Sequence, residues 1–255
     1  MNTSRRLFAV SLLSMSAVMA SGTANAWSFN WGSGERIRGD GEVTTEQREP
    51  GSYDAISLAG DFKLVVRQGG NGKLEIKADK NVLPYLETKV VESAKGRTLE
   101  IATRRGYYIS SSTTPQISID MGALRGLSIA GSGSAKVEAM QTSELKASIA
   151  GSGDINFVDL KAERVGFSVS GSGDIVASGN AANLNVSVAG SGDIKAKGLV
   201  VDDAKVRIAG SGDVVVQASK KLDISIAGSG DVSYLGNPEL HMSTAGSGRV
   251  HKLNN

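Results

Sequence analysis

The chain has 255 residues, 28 Lys and Arg against 26 Asp and Glu, a formal charge of +2, two histidines and no cysteine. A balance this close to neutral argues against a general nucleic-acid binder, which needs a net basic surface. With no thiol anywhere and histidine confined to His241 and His251, the chain cannot assemble a disulfide framework, a cysteine nucleophile, a Ser-His-Asp triad or a His-rich zinc site.

The first segment reads as an export signal. Arg5 and Arg6 precede an apolar run from Leu7 to Val18, and Ala24-Asn25-Ala26 supplies the small residues that signal peptidase accepts. The run is too short for a permanent membrane anchor, so residues 1–26 are expected to be cleaved, leaving Trp27 in front. Ser4-Arg5-Arg6-Leu7-Phe8 fits a twin-arginine signal as well as an ordinary one. Removing Arg5 and Arg6, with no acidic residue alongside them, takes the formal charge from +2 to zero. The expected location is the periplasm, the outer surface or the medium. Residues 27–42, glycine-rich with Trp27 and Trp31, read as a flexible lead.

Strand-like pieces follow at Lys63–Gln68, Lys73–Ala78, Thr88–Val91 and Thr98–Thr103, separated by Gly-Asn-Gly and Lys-Gly-Arg turns. Between them Asn81–Leu86 has room for a helical turn that Pro84 keeps short. The stretch Ile56-Ser-Leu58-Ala-Gly60-Asp61-Phe62 looks like a corner with two residues lost. Residues 43–124 therefore read as irregular turns of the body that continues through residues 125–255, the whole of 43–255 forming one domain.

From residue 125 the sequence repeats. Gly-Ser-Gly begins at Gly131, Gly151, Gly171, Gly190, Gly210, Gly228 and Gly246, in steps of 20, 20, 19, 20, 18 and 18 residues. A fixed period of this size marks a solenoid or array. The residues two, four and six places before the five corners from Gly151 to Gly228 are apolar, as in Leu184, Val186 and Val188, and the fourth after every corner is apolar, from Ala135 and Ile155 to Val232 and Val250. Period two with many β-branched residues means β-strand. Each unit is then strand, corner, strand and a looser polar connection. Seven hairpins in a meander would give about fourteen strands, beyond the ~10 that an open twisted sheet tolerates. A coil buries the same residues against its own neighbouring turns. The expected fold class is therefore an all-β parallel β-helix with turns of 18–20 residues. Glycine recurs because each corner needs positive φ or close backbone approach. The end corners differ, Gly131-Ser-Gly-Ser134 and Gly246-Ser-Gly-Arg249, while the five between carry Asp.

The repeated (Ala/Ser)-Gly-Ser-Gly-Asp-(Ile/Val), the opening Tyr53-Asp-Ala-Ile-Ser-Leu-Ala-Gly-Asp-Phe-Lys-Leu-Val-Val-Arg-Gln-Gly69, and the closing Tyr234-Leu-Gly236-Asn-Pro238 resemble the bacterial head-GIN family of autotransporter-type adhesins. The resemblance covers residues 43–255. It implies a right-handed parallel β-helix related in shape to pectin-lyase-like solenoids, export and no established enzymatic activity; the expected partner is a cell-surface glycan or an envelope protein. No family residue with a functional role is carried over.

Four features invite a functional reading. Asp154, Asp174, Asp193, Asp213 and Asp231 should stack about 4.8 Å apart, where neighbouring carboxylates repel by about 1 kcal/mol in water. Either each accepts hydrogen bonds from the backbone of its own corner, or the row holds Ca²⁺. Ser128, Ser148, Ser168, Ser187, Ser225 and Ser243 should form an outward hydroxyl ladder broken by Arg207. Such a ladder serves as a solvated strand face, or binds polysaccharide or ice. Arg38-Gly39-Asp40 is the tripeptide integrins read, though one short enough to occur by chance. Arg104-Arg105-Gly106-Tyr107-Tyr108 joins cations to rings in a loop that could face a glycan or an acidic partner. The alternative class is a carbohydrate-active enzyme of pectin-lyase-like shape, or else a purely structural or regulatory envelope protein. A lyase needs a base beside its acids, and the positions facing the Asp ladder show no matching basic set. The expectation is a non-enzymatic protein without a cofactor.

Overall fold

The computed structural model describes residues 34–254 apart from 71, 94 and 95. The export segment, and the lead as far as residue 33, lie outside the described residues. The described chain opens with β1 (Glu35–Arg38), β2 (Val43–Arg48), β3 (Ala55–Ala59), β4 (Lys63–Gln68) and β5 (Leu74–Asp79). A 3₁₀ turn at Leu83–Tyr85 follows, and then β6 (Leu86–Ser93), β7 (Gly96–Thr103), β8 (Tyr107–Ser110) and β9 (Gln116–Met121). Pro84 sits inside the short turn as expected. Arg48 clamps it, donating to the carbonyls of Leu83 at 3.0 Å and Leu86 at 2.6 Å.

The repeats form β10 (Gly126–Gly131), β11 (Ser134–Val137), β12 (Met140–Gly151), β13 (Asp154–Gly171), β14 (Asp174–Gly190), β15 (Ile194–Gly210), β16 (Val214–Gly228), β17 (Val232–Leu235), β18 (Glu239–Gly246) and β19 (Val250–Lys252). Each pairs in parallel with the strand one turn on, corner over corner: Gly131 with Gly151, Gly171, Gly190, Gly210, Gly228 and Gly246 in succession. The architecture is the all-β parallel β-helix read from the period. Ile149, Val169, Val188, Ile208 and Ile226 stack in register and are at most 2% exposed. Leu58 and Ile101 extend the same column through β3 and β7. Phe157 and Phe167 stack inside at 5.5 Å, filling the interior where two aromatic side chains share one turn.

The corners are tight for two separate reasons. Gly210 has φ +142°, and a Cβ there would lie 2.1 Å from the carbonyl oxygen of Gly190. Gly212 has no positive φ, yet its Cβ would meet the Gly192 carbonyl at 2.1 Å. The first glycine is required by conformation and contact, the second by contact alone.

Several readings change. Part of the expected flexible lead is ordered: Glu35–Arg38 pairs in parallel with β8, because Ile37 finds a core position and is 8% exposed. The corner at Gly60 has lost no residues. β3 and β4 register directly with β10 and β11, so Gly60, Asp61, Phe62 and Lys63 occupy the places of Gly131, Ser132, Gly133 and Ser134. Phe62 takes the second glycine's place and is buried. The irregular turns also contain antiparallel pairs, β2–β5, β5–β9 and β6–β7. β2 and β6 stand at edges with alternating polar side chains, which discourages further strand addition. Finally, the connections are not loose. β13, β14 and β15 run through them, and bulges absorb the changing step, at Phe157/Leu160, Val176/Ser178, Ala196/Val200 and Val201/Asp203.

Candidate functional site

The acidic ladder exists, but its partners are not those of its own corners. Asp193 N–H donates to Asp174 Oδ1 at 3.1 Å, Asp213 to Asp193 at 3.0 Å, Asp231 to Asp213 at 2.8 Å, and Arg249 to Asp231 at 2.8 Å. Each carboxylate thus receives the backbone of the next turn. Asp154 stands in register with Asp174, whose N–H instead donates to the Gly153 carbonyl at 3.2 Å. Lys195 Nζ lies 3.0 Å from Asp174 and 3.6 Å from Asp193, supplying the cation that the sequence reading did not place there. The hydrogen bond to Asp174 raises the lysine's pKa, so it is held as an ammonium rather than poised as a base. At the last corner the backbone N–H and guanidinium of Arg249 hold the Asp231 carboxyl below the usual range. Among the described residues no three Asp, Glu, His or Cys side chains are grouped as metal ligands.

The hydroxyl ladder is also present. Ser128, Ser148, Ser168, Ser187, Arg207, Ser225 and Ser243 register turn by turn, and Ser57 adds a step below. Arg38-Gly39-Asp40 is a fixed bend. Asp40 accepts the Glu42 N–H at 3.0 Å, and a Cβ on Gly39 would strike Asp79 Oδ2. In the Arg104–Tyr108 stretch, Arg104 faces Glu87 at 3.6 Å, Tyr107 packs on Tyr85 at 4.7 Å, and Tyr108 is exposed.

A further feature lies on the connections. Two shallow hollows of about 360 and 520 Å³ share Lys161 and Ala162. They run along the axis over four turns. Thr142, Ala162, Ala181 and Val201 stack in register as the floor, while Gln141, Lys161, Asn180 and Val200 form one wall. Glu163 and Asp202 stand on the other side. Lys220 and Ser219 hydrogen-bond Asp202, each at 3.1 Å, and hold its carboxyl below the usual range. Small floor residues make the depression, and their recurrence at the turn period was the signal available in the sequence. The result is one groove with a methyl floor and rims of amide, ammonium and carboxylate.

No helix among the described residues is long and apolar enough to cross a membrane. No protein of curated function matches the chain in sequence. The fold is shared with solved structures. A putative adhesin from Bacteroides fragilis superposes with a TM-score of 0.77 at 22% identity, over 85% of this chain and all of its own. A putative lipid binding protein from Parabacteroides distasonis gives 0.72 at 29% identity, over 86% and 100%. A putative adhesin from Parabacteroides merdae gives 0.68 at 21% identity, over 86% and 100%. A family model matches residues 52–238, beginning beside Tyr53 and ending at Pro238, the limits of the opening and closing motifs. The protein therefore belongs to the family described as "Putative auto-transporter adhesin, head GIN domain".

Proposed function

We propose that the protein is a non-enzymatic, exported adhesin-type module of the cell envelope that binds glycan chains along the groove on its connections. The groove is the observation that carries this reading. Its floor of Thr142, Ala162, Ala181 and Val201 offers methyl groups to sugar ring faces, and its rims offer hydrogen-bond donors and acceptors to hydroxyls. It is open at the surface and repeats at the strand spacing of about 4.8 Å, which suits an extended chain better than a compact ligand. Family membership supports the adhesin class.

Glycan arrays and whole-cell adherence with the purified protein test the proposal. The expected result is binding that Ala181→Arg abolishes by filling the groove, with the melting temperature unchanged. Blank arrays together with no adherence would remove the adhesin reading. Release of unsaturated or reducing ends from acidic polysaccharides would replace it with the enzyme reading.

A further inference from the structure

The two ends of the coil finish differently. At the N-terminal end the outermost strands run antiparallel and are guarded. Thr44, Glu46 and Arg48 of β2 face inward, opposite the buried Ala78, Ile76 and Leu74 of β5. Glu46 and Arg48 pair at 2.7 Å. Charge on the inner face of an edge strand discourages further stacking.

The other end has no such guard on β18. Among the described residues β18 registers in parallel with β16 alone, from Glu239 on Lys221 to Gly246 on Gly228. Its far side therefore presents a row of backbone N–H and C=O groups to any added strand. The inward columns also end uncovered. Leu240, Met242 and Thr244 continue the columns of Leu222, Ile224 and Ile226. Those three are at most 4% exposed, whereas Met242 is 64% exposed and Thr244 is exposed beside it. Glu239–Gly246 contains no Lys, Arg or Pro, and its one acid, Glu239, has His241 Nε2 at 3.2 Å. On β19, Lys252 closes the column of Val216 and Tyr234 with a charge, bonded to Asn237 Oδ1 at 2.6 Å. The unguarded edge is β18.

Head-to-tail stacking would bury the inward Glu46 and Arg48 against the open columns, at a desolvation cost. A second β18 fits instead. Run antiparallel about Met242, two such strands set Met242 on its own counterpart and Leu240 on Thr244 along the inner face. Along the outer face His241 meets Ser243, and Glu239 meets Ala245. No like charges stand opposite each other, and the apolar columns of each coil run on into the other. An interface of this kind is self-complementary and closes at two copies.

We infer that two copies of this chain join end to end through β18, so that their coils share one continuous sheet. β18 lies apart from the groove on β12 to β15, so failure of this inference leaves the adhesin reading standing.

Sedimentation velocity over a dilution series should show a species of twice the chain mass and none larger. Met242→Lys places two ammonium groups opposite each other. It should return the protein to single copies with its β-sheet circular dichroism unchanged. The chain has no cysteine, so one introduced thiol reports the geometry. Residues directly opposite on antiparallel strands have Cα atoms about 4.5–5.5 Å apart, within the range of about 4.4–6.8 Å that a disulfide spans. Met242→Cys should therefore form an intermolecular disulfide in air, and Ser187→Cys, on the flank of the coil, should not. Single copies at every concentration, a dimer that survives Met242→Lys, or equal cross-linking at the two positions would overturn the inference. A ladder of masses beyond the dimer would also overturn it, and would assign the end to head-to-tail stacking.

Discussion

The backbone N–H of Asp213 donates to Oδ1 of Asp193 one turn before it, at 3.0 Å, and the same bond joins Asp231 to Asp213. A column of carboxylates is thereby made into a set of rungs between turns, each offset by a backbone dipole, with Lys195 beside Asp174 and Asp193 as counter-charge. Asp193→Ala removes the acceptor and should cost about 1–2 kcal/mol in urea melts. Asp193→Asn keeps a carbonyl oxygen at the same place and should lose less than half of that. Equal losses would show that the charge, not the rung, carries the stability.

The alternation at the repeats was legible because inward and outward positions differ in residue type at every turn, and the registered column from Ile149 to Ile226 follows it. The rung was not legible, because spacing along the chain does not say whether Asp193 bonds its own corner or the next. β1 was missed for a different reason: Glu-Arg-Ile-Arg contains one apolar residue, and a single inward side chain makes no pattern. In the irregular turns β4 was placed to the residue, whereas the antiparallel partners of β2, β5 and β6 depend on contacts distant in sequence. The groove floor recurs nine residues before each corner, at Thr142, Ala162, Ala181 and Val201, but small uncharged side chains in a connection do not announce a depression, which depends on how successive turns stack.

The second corner glycine offers a test of packing without backbone strain. Gly212→Ala sets a methyl 2.1 Å from the Gly192 carbonyl oxygen and 3.0 Å from Val188 Cγ1. The turns must separate locally, so a loss of about 1–3 kcal/mol is expected. Gly41→Ala, at φ +82° with nothing within 4 Å, should cost about 1 kcal/mol through conformation alone. Chemical denaturation of the two variants separates the effects. A smaller loss at position 212 than at position 41 would contradict the close stacking of corners.

Asp54 and Arg125 form a two-pronged ion pair, with both contacts at 2.9 Å. The hydrogen bonds from Arg125 hold the Asp54 carboxyl below the usual carboxylate range. A carboxyl lowered by folding contributes stability above the unfolded value of about 4, and that stability is lost as pH falls through the folded value. The side chains are 35% and 46% exposed, so the contribution is at most about 1 kcal/mol. Asp54→Asn should therefore be less stable than the parent near neutrality, and the gap should close as pH falls from the unfolded carboxylate value through the lowered folded one. A gap that persists in acid would mean the loss comes from packing rather than charge.

The coil is tested most directly by two neighbouring residues of β14. Val188 is 1% exposed, between Val169 and Ile208 in the buried column, while Ser187 is exposed on the opposite face. Val188→Asp buries a carboxylate with no partner among aliphatic side chains, at a cost of about 3–5 kcal/mol. Each turn rests on its neighbours, so the loosening should spread along the stack. Hydrogen exchange should show lost protection in β13 and β15 as well as in β14. Ser187→Asp places the same carboxylate in water beside Ser168 and Arg207, and should change stability by less than about 1 kcal/mol. Thermal melts of the pair decide the matter: similar losses at the two positions would mean that the inside and outside of the coil have been misassigned.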